Sequence, residues 1–154
     1  FNLTGWRLGW LVLPPALLPE IEKLAQNFYI CPSSMAQHAA LACFTPEALA
    51  IAEQRREEMR RRRDYLVPAL RELGFEVPVS PDGAFYVYAD CSRLTDDATV
   101  FCRELLEQTG VAITPGVDFG ETGARRFVRV SYATSMAKLE EAIARLANYL
   151  PRAG

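Results

Sequence analysis

Among its 154 residues the sequence holds a single histidine, His38, and only two lysines, Lys23 and Lys138. Its four cysteines, Cys31, Cys43, Cys91 and Cys102, form no C-x-x-C pair. With one imidazole beside them they do not make a zinc ligand set, and no metal is expected. They read instead as small buried or half-buried thiols of a reducing compartment. No apolar run approaches the roughly 18 residues of a membrane span. No charged segment followed by an apolar one opens the chain, so no secretory signal is visible and the cytoplasm is the expected location. An excess of positive charge is also missing: 17 basic residues face 19 acidic ones, for a net charge of −2. Nucleic acid therefore has no general electrostatic attraction to this chain.

What is present is a globular balance, 50% hydrophobic and 23% charged residues. A chain of this size can bury roughly 70% of its extended surface without a disulfide. Residues 4–13 (TGWRLGWLVL) are rich in aromatic and aliphatic side chains and stop at Pro14-Pro15, which predicts a buried strand. Leu17, Ile21, Leu24 and Phe28 recur at helical spacing over residues 17–29. The turn at residues 31–34 offers a serine cap, and Ala-rich residues 35–44 predict a second helix. Thr45-Pro46-Glu47 opens a long helix that runs to about Leu73 and is stopped by Gly74, with a kink or restart expected at Pro68. Six arginines lie between residues 55 and 63 of that helix. Glu53, Glu57, Glu58 and Asp64 interleave with them at one-turn spacings, so the run reads as a solvated face laced with ion pairs rather than a patch for nucleic acid or an acidic partner.

After Gly74 the pattern changes. Short strands are expected at residues 75–79, 84–89 and 111–114, and a longer one at 126–133. Helices are expected at 96–109 and from 135 to about 150. The domain expectation is residues 1–45, then a connecting helix at 46–74, then a compact α/β unit at 75–154 of ββαββα order.

Two arginines invite chemistry. On a strand, Arg7 would share a face with Gly9, Leu11 and Leu13, between Trp6 and Trp10. Arg129 would share one with Phe127, Ser131 and Ala133, opposite Val128, Val130 and Tyr132. A guanidinium cannot discharge, so burial among such residues calls for an anion that suits its planar fork, a carboxylate or a phosphate. An internal salt bridge would meet the same demand, as would a side chain snorkelling to the edge.

Residues 1–10 (FNLTGWRLGW) closely resemble the segment that follows the Schiff-base lysine in pyridoxal-phosphate-dependent fold-type I aminotransferases of class I/II. Pro115-Gly116 through Phe119-Gly120, then residues 126–135 (RFVRVSYATS), resemble the same family's C-terminal signature. The resemblance spans essentially the whole chain. It implies the last part of the large cofactor-binding domain, the connecting helix, and a small C-terminal domain built as a two-layer α/β sandwich. It further implies that Arg7 pairs with the phosphate of pyridoxal 5'-phosphate and Arg129 with the substrate α-carboxylate. The reaction would move an amino group from an amino acid to a 2-oxo acid. Homodimers, with active sites at the subunit interface, are usual in this family, and the turn at residues 31–34 could approach a partner's site.

The sequence departs from the family pattern at the lysine. Neither Lys23 nor Lys138 stands in a Ser-Lys context; the pattern puts that lysine just upstream of Phe1. The ring-stacking residue, the Asp facing the pyridine nitrogen, and the Asn and Tyr near the cofactor oxygen are also lacking. The expectation is that these 154 residues alone do not transaminate, and no catalytic residue is assigned within them. A fold-type I C–S β-lyase, or a non-catalytic regulatory or interaction domain on the same fold, would use the same arginines. Residues 84–89 (AFYVYA) resemble a strand near the substrate entrance.

Overall fold

A computed structural model describes Phe1 and residues 3–150; Asn2 of the opening motif and residues 151–154 lie outside the described residues. The chain divides into two units, residues 1–55 and residues 56–154.

In the first unit, residues 4–13 are not a strand. Thr4–Trp6 form one 3-10 turn, which Arg7 ends in the left-handed region at φ 56. Trp6 and Trp10 are 48% and 56% exposed, and Val12 is 92% exposed. The expectation failed for a physical reason. A strand needs a ladder partner for its N–H and C=O groups, and among the described residues of this unit there is no second strand.

The helices follow their signals. Pro15–Leu17 make a 3-10 turn into helix α1, Leu18–Phe28, since a proline needs no donor in a first turn. Helix α2 spans Ser34–Ala42. Ser33 stands at its N-cap position, but its hydroxyl makes no capping bond. Ala36 and Ala40, one turn apart, are buried. The apolar stripe of α1 is largely uncovered: Leu24 and Phe28 are exposed.

Helix α3 runs from Pro46 to Glu72, and Gly74 follows it at φ +93. Pro68 lies inside α3 and neither ends nor restarts it. It forfeits the bond to the carbonyl four residues back. Burial of Leu66, Val67 and Leu70 around it holds that turn in place. The arginine run is laced with ion pairs along the helix: Arg61 and Arg62 reach Glu58 at 2.7 and 3.0 Å, and Arg63 reaches Asp64 at 2.7 Å.

The second unit holds an antiparallel sheet of order β1-β3-β2, with β1 at Tyr86–Asp90, β2 at Thr114–Pro115 and β3 at Phe127–Ser131. Residues 75–79 contribute a single bridge, Glu76 to Asp90, instead of a strand. Strand β1 starts two residues later than expected, because Ala84 sits at φ 62 and cannot be extended. Strand β2 is only two residues long and includes Pro115, which has no N–H for a ladder.

Helix α4 (Ala98–Thr109) begins at Asp97, whose carboxylate accepts from the N–H groups of Thr99 and Val100 at 2.8 and 3.3 Å. Gly110 ends it at φ 70. Helix α5 (Met136–Tyr149) is capped by Ser135. Phe101, Leu105, Leu139 and Leu146 join Val87, Ala89, Val128 and Val130 in one core, a helical layer on one face of a small sheet.

Candidate functional site

Period-two alternation decides where Arg129 points. Val128 and Val130 on either side of it are buried in the core, so Arg129 projects from the opposite face of β3. Because β3 is the central strand, Arg129 lies opposite Tyr88 on β1 and opposite Thr114 on β2. The guanidinium carbon stands 4.2 Å from the centre of the Phe119 ring and 5.4 Å from that of Tyr86. Among the described residues no carboxylate lies within 4.0 Å of it, so the internal ion pair does not form. The neighbouring arginines are committed elsewhere: Arg126 to the buried carboxylate of Asp90, Arg125 to Asp97 at 3.0 Å.

Asp90 completes that pairing. Burial works against its charge, but hydrogen bonds from Ser92 and Arg126, with the Arg126 charge, outweigh it and hold the carboxyl below its ordinary range.

Pro115-Gly116 owes its glycine to space. A Cβ on Gly116 would come within 2.5 Å of the Ala124 carbonyl oxygen, 2.6 Å of the Tyr88 hydroxyl and 2.8 Å of the Phe127 carbonyl oxygen. The backbone then turns through Gly116–Asp118, closed by the Phe119 N–H on the Gly116 carbonyl at 2.9 Å, and so delivers Phe119 to Arg129. Sequence reading missed Phe119 and Tyr86 as neighbours of the arginine. The signal was available, since Phe119 lies inside the motif at residues 115–120.

Arg7, in the first unit, is exposed rather than enclosed by its tryptophans. Among the described residues its guanidinium makes one hydrogen bond, from Nη1 to the carbonyl oxygen of Thr4 at 3.3 Å. No carboxylate pairs with it among the described residues. It lines an open hollow with Leu3, Thr4, Leu8, Gly9 and Trp10. At Gly5 and Gly9 an added Cβ would touch nothing within 4 Å, so neither glycine is needed to relieve crowding. The two lysines are exposed, and Lys23 is paired with Glu20 at 3.2 Å. Among the described residues there is no cluster able to hold a metal ion, and no helix is long and apolar enough to cross a membrane.

A small antiparallel sheet with a helical layer on one face, a motif glycine shaping the turn beside it, and a strand arginine without an acidic partner among the described residues make a mixed α/β domain with a candidate anion site. The family model for aminotransferase class I and II matches residues 1–146, and the chain belongs to that family. It is 44% identical over 151 residues to the valine–pyruvate aminotransferase of Mycobacterium tuberculosis, covering 98% of this chain and 39% of that protein. It is 39% identical to the aspartate/prephenate aminotransferase of Thermus thermophilus, again covering 39% of that protein. A crystal structure of an aminotransferase from M. tuberculosis superposes with a TM-score of 0.89 at 45% identity, over 97% of this chain and 38% of that one. The chain thus spans about two-fifths of the length of the relatives it matches.

Proposed function

We propose that this chain supplies two anion anchors to a pyridoxal-phosphate-dependent aminotransferase that moves an amino group from an amino acid to a 2-oxo acid. The carrying observation is that the Arg129 guanidinium lies over the rings of Phe119 and Tyr86 and has no acidic partner among the described residues, which leaves its N–H groups free for a carboxylate. A Thermus thermophilus aspartate aminotransferase, 39% identical to this chain, is known in a structure with maleate, a dicarboxylate, which supports an anion-binding role.

The residues present also suit the cofactor's phosphate. Arg7 is exposed beside an open hollow and spends one weak bond on the backbone, so most of its five-donor fork is available. When bound, pyridoxal phosphate supplies a ring that takes up the electrons released as the bond from Cα to hydrogen breaks. Arg7 anchors the phosphate. Arg129 fixes the α-carboxylate and thereby orients the Cα–H bond. On this reading proton transfer falls to a Schiff-base lysine outside these residues, since neither Lys23 nor Lys138 stands in the Ser-Lys context of the family pattern. The 154 residues alone are inactive on this reading. The active form is a cytoplasmic homodimer serving amino-acid biosynthesis.

The test uses a full-length enzyme that carries this segment. Arg129→Gln should raise KM for the amino acid by about 30- to 1,000-fold, the loss of a charge-assisted two-point contact. Arg7→Gln should weaken cofactor retention instead. An unchanged KM in Arg129→Gln refutes the substrate anchor. A lysine-dependent absorbance band from pyridoxal phosphate with the 154-residue chain alone refutes the inactivity.

A further inference from the structure

We infer that Phe119 and Tyr86 are positioning residues that hold the Arg129 guanidinium over their rings, keeping its N–H donors open for a carboxylate. The inference rests on the reading of Arg129 as the carboxylate anchor, and adds what holds that anchor in place.

An arginine on a strand can be oriented in two ways. An acidic neighbour would fix it well, but would occupy the N–H groups that a ligand needs. An aromatic ring attracts the cation through its π-face and leaves the in-plane donors untouched. The sheet uses the second solution. The Phe119 ring centre is 4.2 Å from the guanidinium carbon, well inside the distance over which a ring attracts a cation. Tyr86 adds a second ring at 5.4 Å.

The two rings come from different parts of the chain, and each is fixed by its own backbone. Phe119 follows the turn that Gly116 makes possible. Tyr86 is paired with Ser131 in the ladder and meets Phe85 edge-on at 5.4 Å. Neither ring belongs to the core: Phe119 is 48% and Tyr86 38% exposed. Both rings therefore contact the cation without being part of the packed core.

The experiment uses a full-length enzyme carrying this segment, with propionate as a carboxylate probe that cannot react. Phe119→Leu and Tyr86→Leu should each raise the propionate dissociation constant, and the double variant should raise it about 3- to 20-fold. The effect on turnover should fall on KM rather than on kcat. Phe119→Tyr should restore binding, because it keeps the ring. In the same full-length enzyme, the Arg129 δ-proton resonances should lie upfield through ring currents and return toward ordinary values in Phe119→Leu.

Unchanged propionate binding in the double variant, with binding lost in Arg129→Gln, overturns the clamp and leaves the anchor standing. Unchanged binding in Arg129→Gln overturns both. If the leucine variants fail to fold, Phe119→Tyr and the resonances of the unmodified full-length enzyme decide. Failure of the tyrosine to sustain binding, or unshifted δ-protons, overturns the clamp.

Discussion

The hydroxyl of Tyr132, a residue only 1% exposed, directs its one proton to the carbonyl oxygens of Gly83 and Ala84, at 3.2 and 3.3 Å. Ala84 is held there at φ 62, a left-handed conformation that alanine disfavours. The Tyr132 N–H also donates to the Phe85 carbonyl at 2.8 Å. One buried tyrosine thus fixes the corner that launches β1, and with it the placement of Tyr86 beside Arg129.

Replacing Tyr132 by Phe should therefore cost about 1 kcal/mol, the net worth of one partly buried hydrogen bond. Ala84→Gly should act in the opposite direction. It removes the left-handed penalty of about 1–2 kcal/mol per residue and gives back some of that in unfolded-chain entropy. Urea unfolding of the chain reads both. A destabilised Ala84→Gly would mean that the corner carries no strain.

Legibility in the sequence was uneven, for reasons that individual residues make plain. Strand β3 was readable because alternation there is strict: Val128, Val130 and Tyr132 are buried and Arg129 is opposite. Helices α1, α3, α4 and α5 were readable to within a few residues from their end signals: the double proline, Gly74, Gly110 and Ser135. Residues 4–13 misled because apolar content says that a segment seeks burial, not what it pairs with. Arg7 at φ 56 breaks a strand in a way that no periodicity records. The rings around Arg129 depend on a turn closing in space. The spacing from Phe119 to Arg129 is visible in the sequence, but their 4.2 Å contact is not.

Gly116→Ala should be the most damaging single-methyl change in the second unit. Two of the three atoms that its Cβ would strike are backbone carbonyl oxygens, at 2.5 and 2.8 Å, and neither can rotate away as a side chain would. Overpacking of this kind costs roughly 1–3 kcal/mol. The third atom is the Tyr88 hydroxyl, whose ring stacks on Phe127 at 4.9 Å, so displacement would carry into the Arg129 face. A lower melting temperature with weaker carboxylate binding in the full-length enzyme is the expected pair of results. A thermally neutral variant would show that the turn gives way easily.

In acid, stability should fall partly through Asp90. Its folded carboxyl titrates below its ordinary range, despite burial, because Ser92 and Arg126 bond the charged form. The unfolded chain therefore takes up the proton first. The contribution is fully present above the unfolded value near 3.8 and is lost as pH falls through the lower folded value. Asp97, bonded by the N–H groups of Thr99 and Val100, shifts the same way. Asp90→Asn should lower stability at pH 7 and flatten the decline between about pH 5 and pH 2. Denaturant midpoints across that range check it, and parallel curves for the two proteins would count against the assignment.

In alkali the buried thiols act with the opposite sign. Burial is the main cause that pushes Cys91 up to about 11 and Cys102 up to about 12, from an ordinary 9.0, with the Asp90 charge adding to the first and Cys91 to the second. A group whose folded value is raised stabilises fully below its unfolded value, and that contribution is lost as pH rises through the folded one. The window therefore opens near pH 9 and extends to about 11–12. Within it each thiol can contribute a slope of at most about 1.4 kcal/mol per pH unit. The two share one proton economy through their mutual repulsion, so the combined slope should be smaller than the sum. Neither is a nucleophile at neutral pH, whereas Cys31 is exposed and should be alkylated by iodoacetamide well before either of them. The Cys91→Ala, Cys102→Ala double variant should be less stable at pH 8, because it leaves cavities in a shared core. It should nonetheless lose less stability between pH 8.5 and 10.5 than the unmodified chain does. Equal losses over that interval, measured by urea unfolding, would mean that the thiols ionise alike in both states.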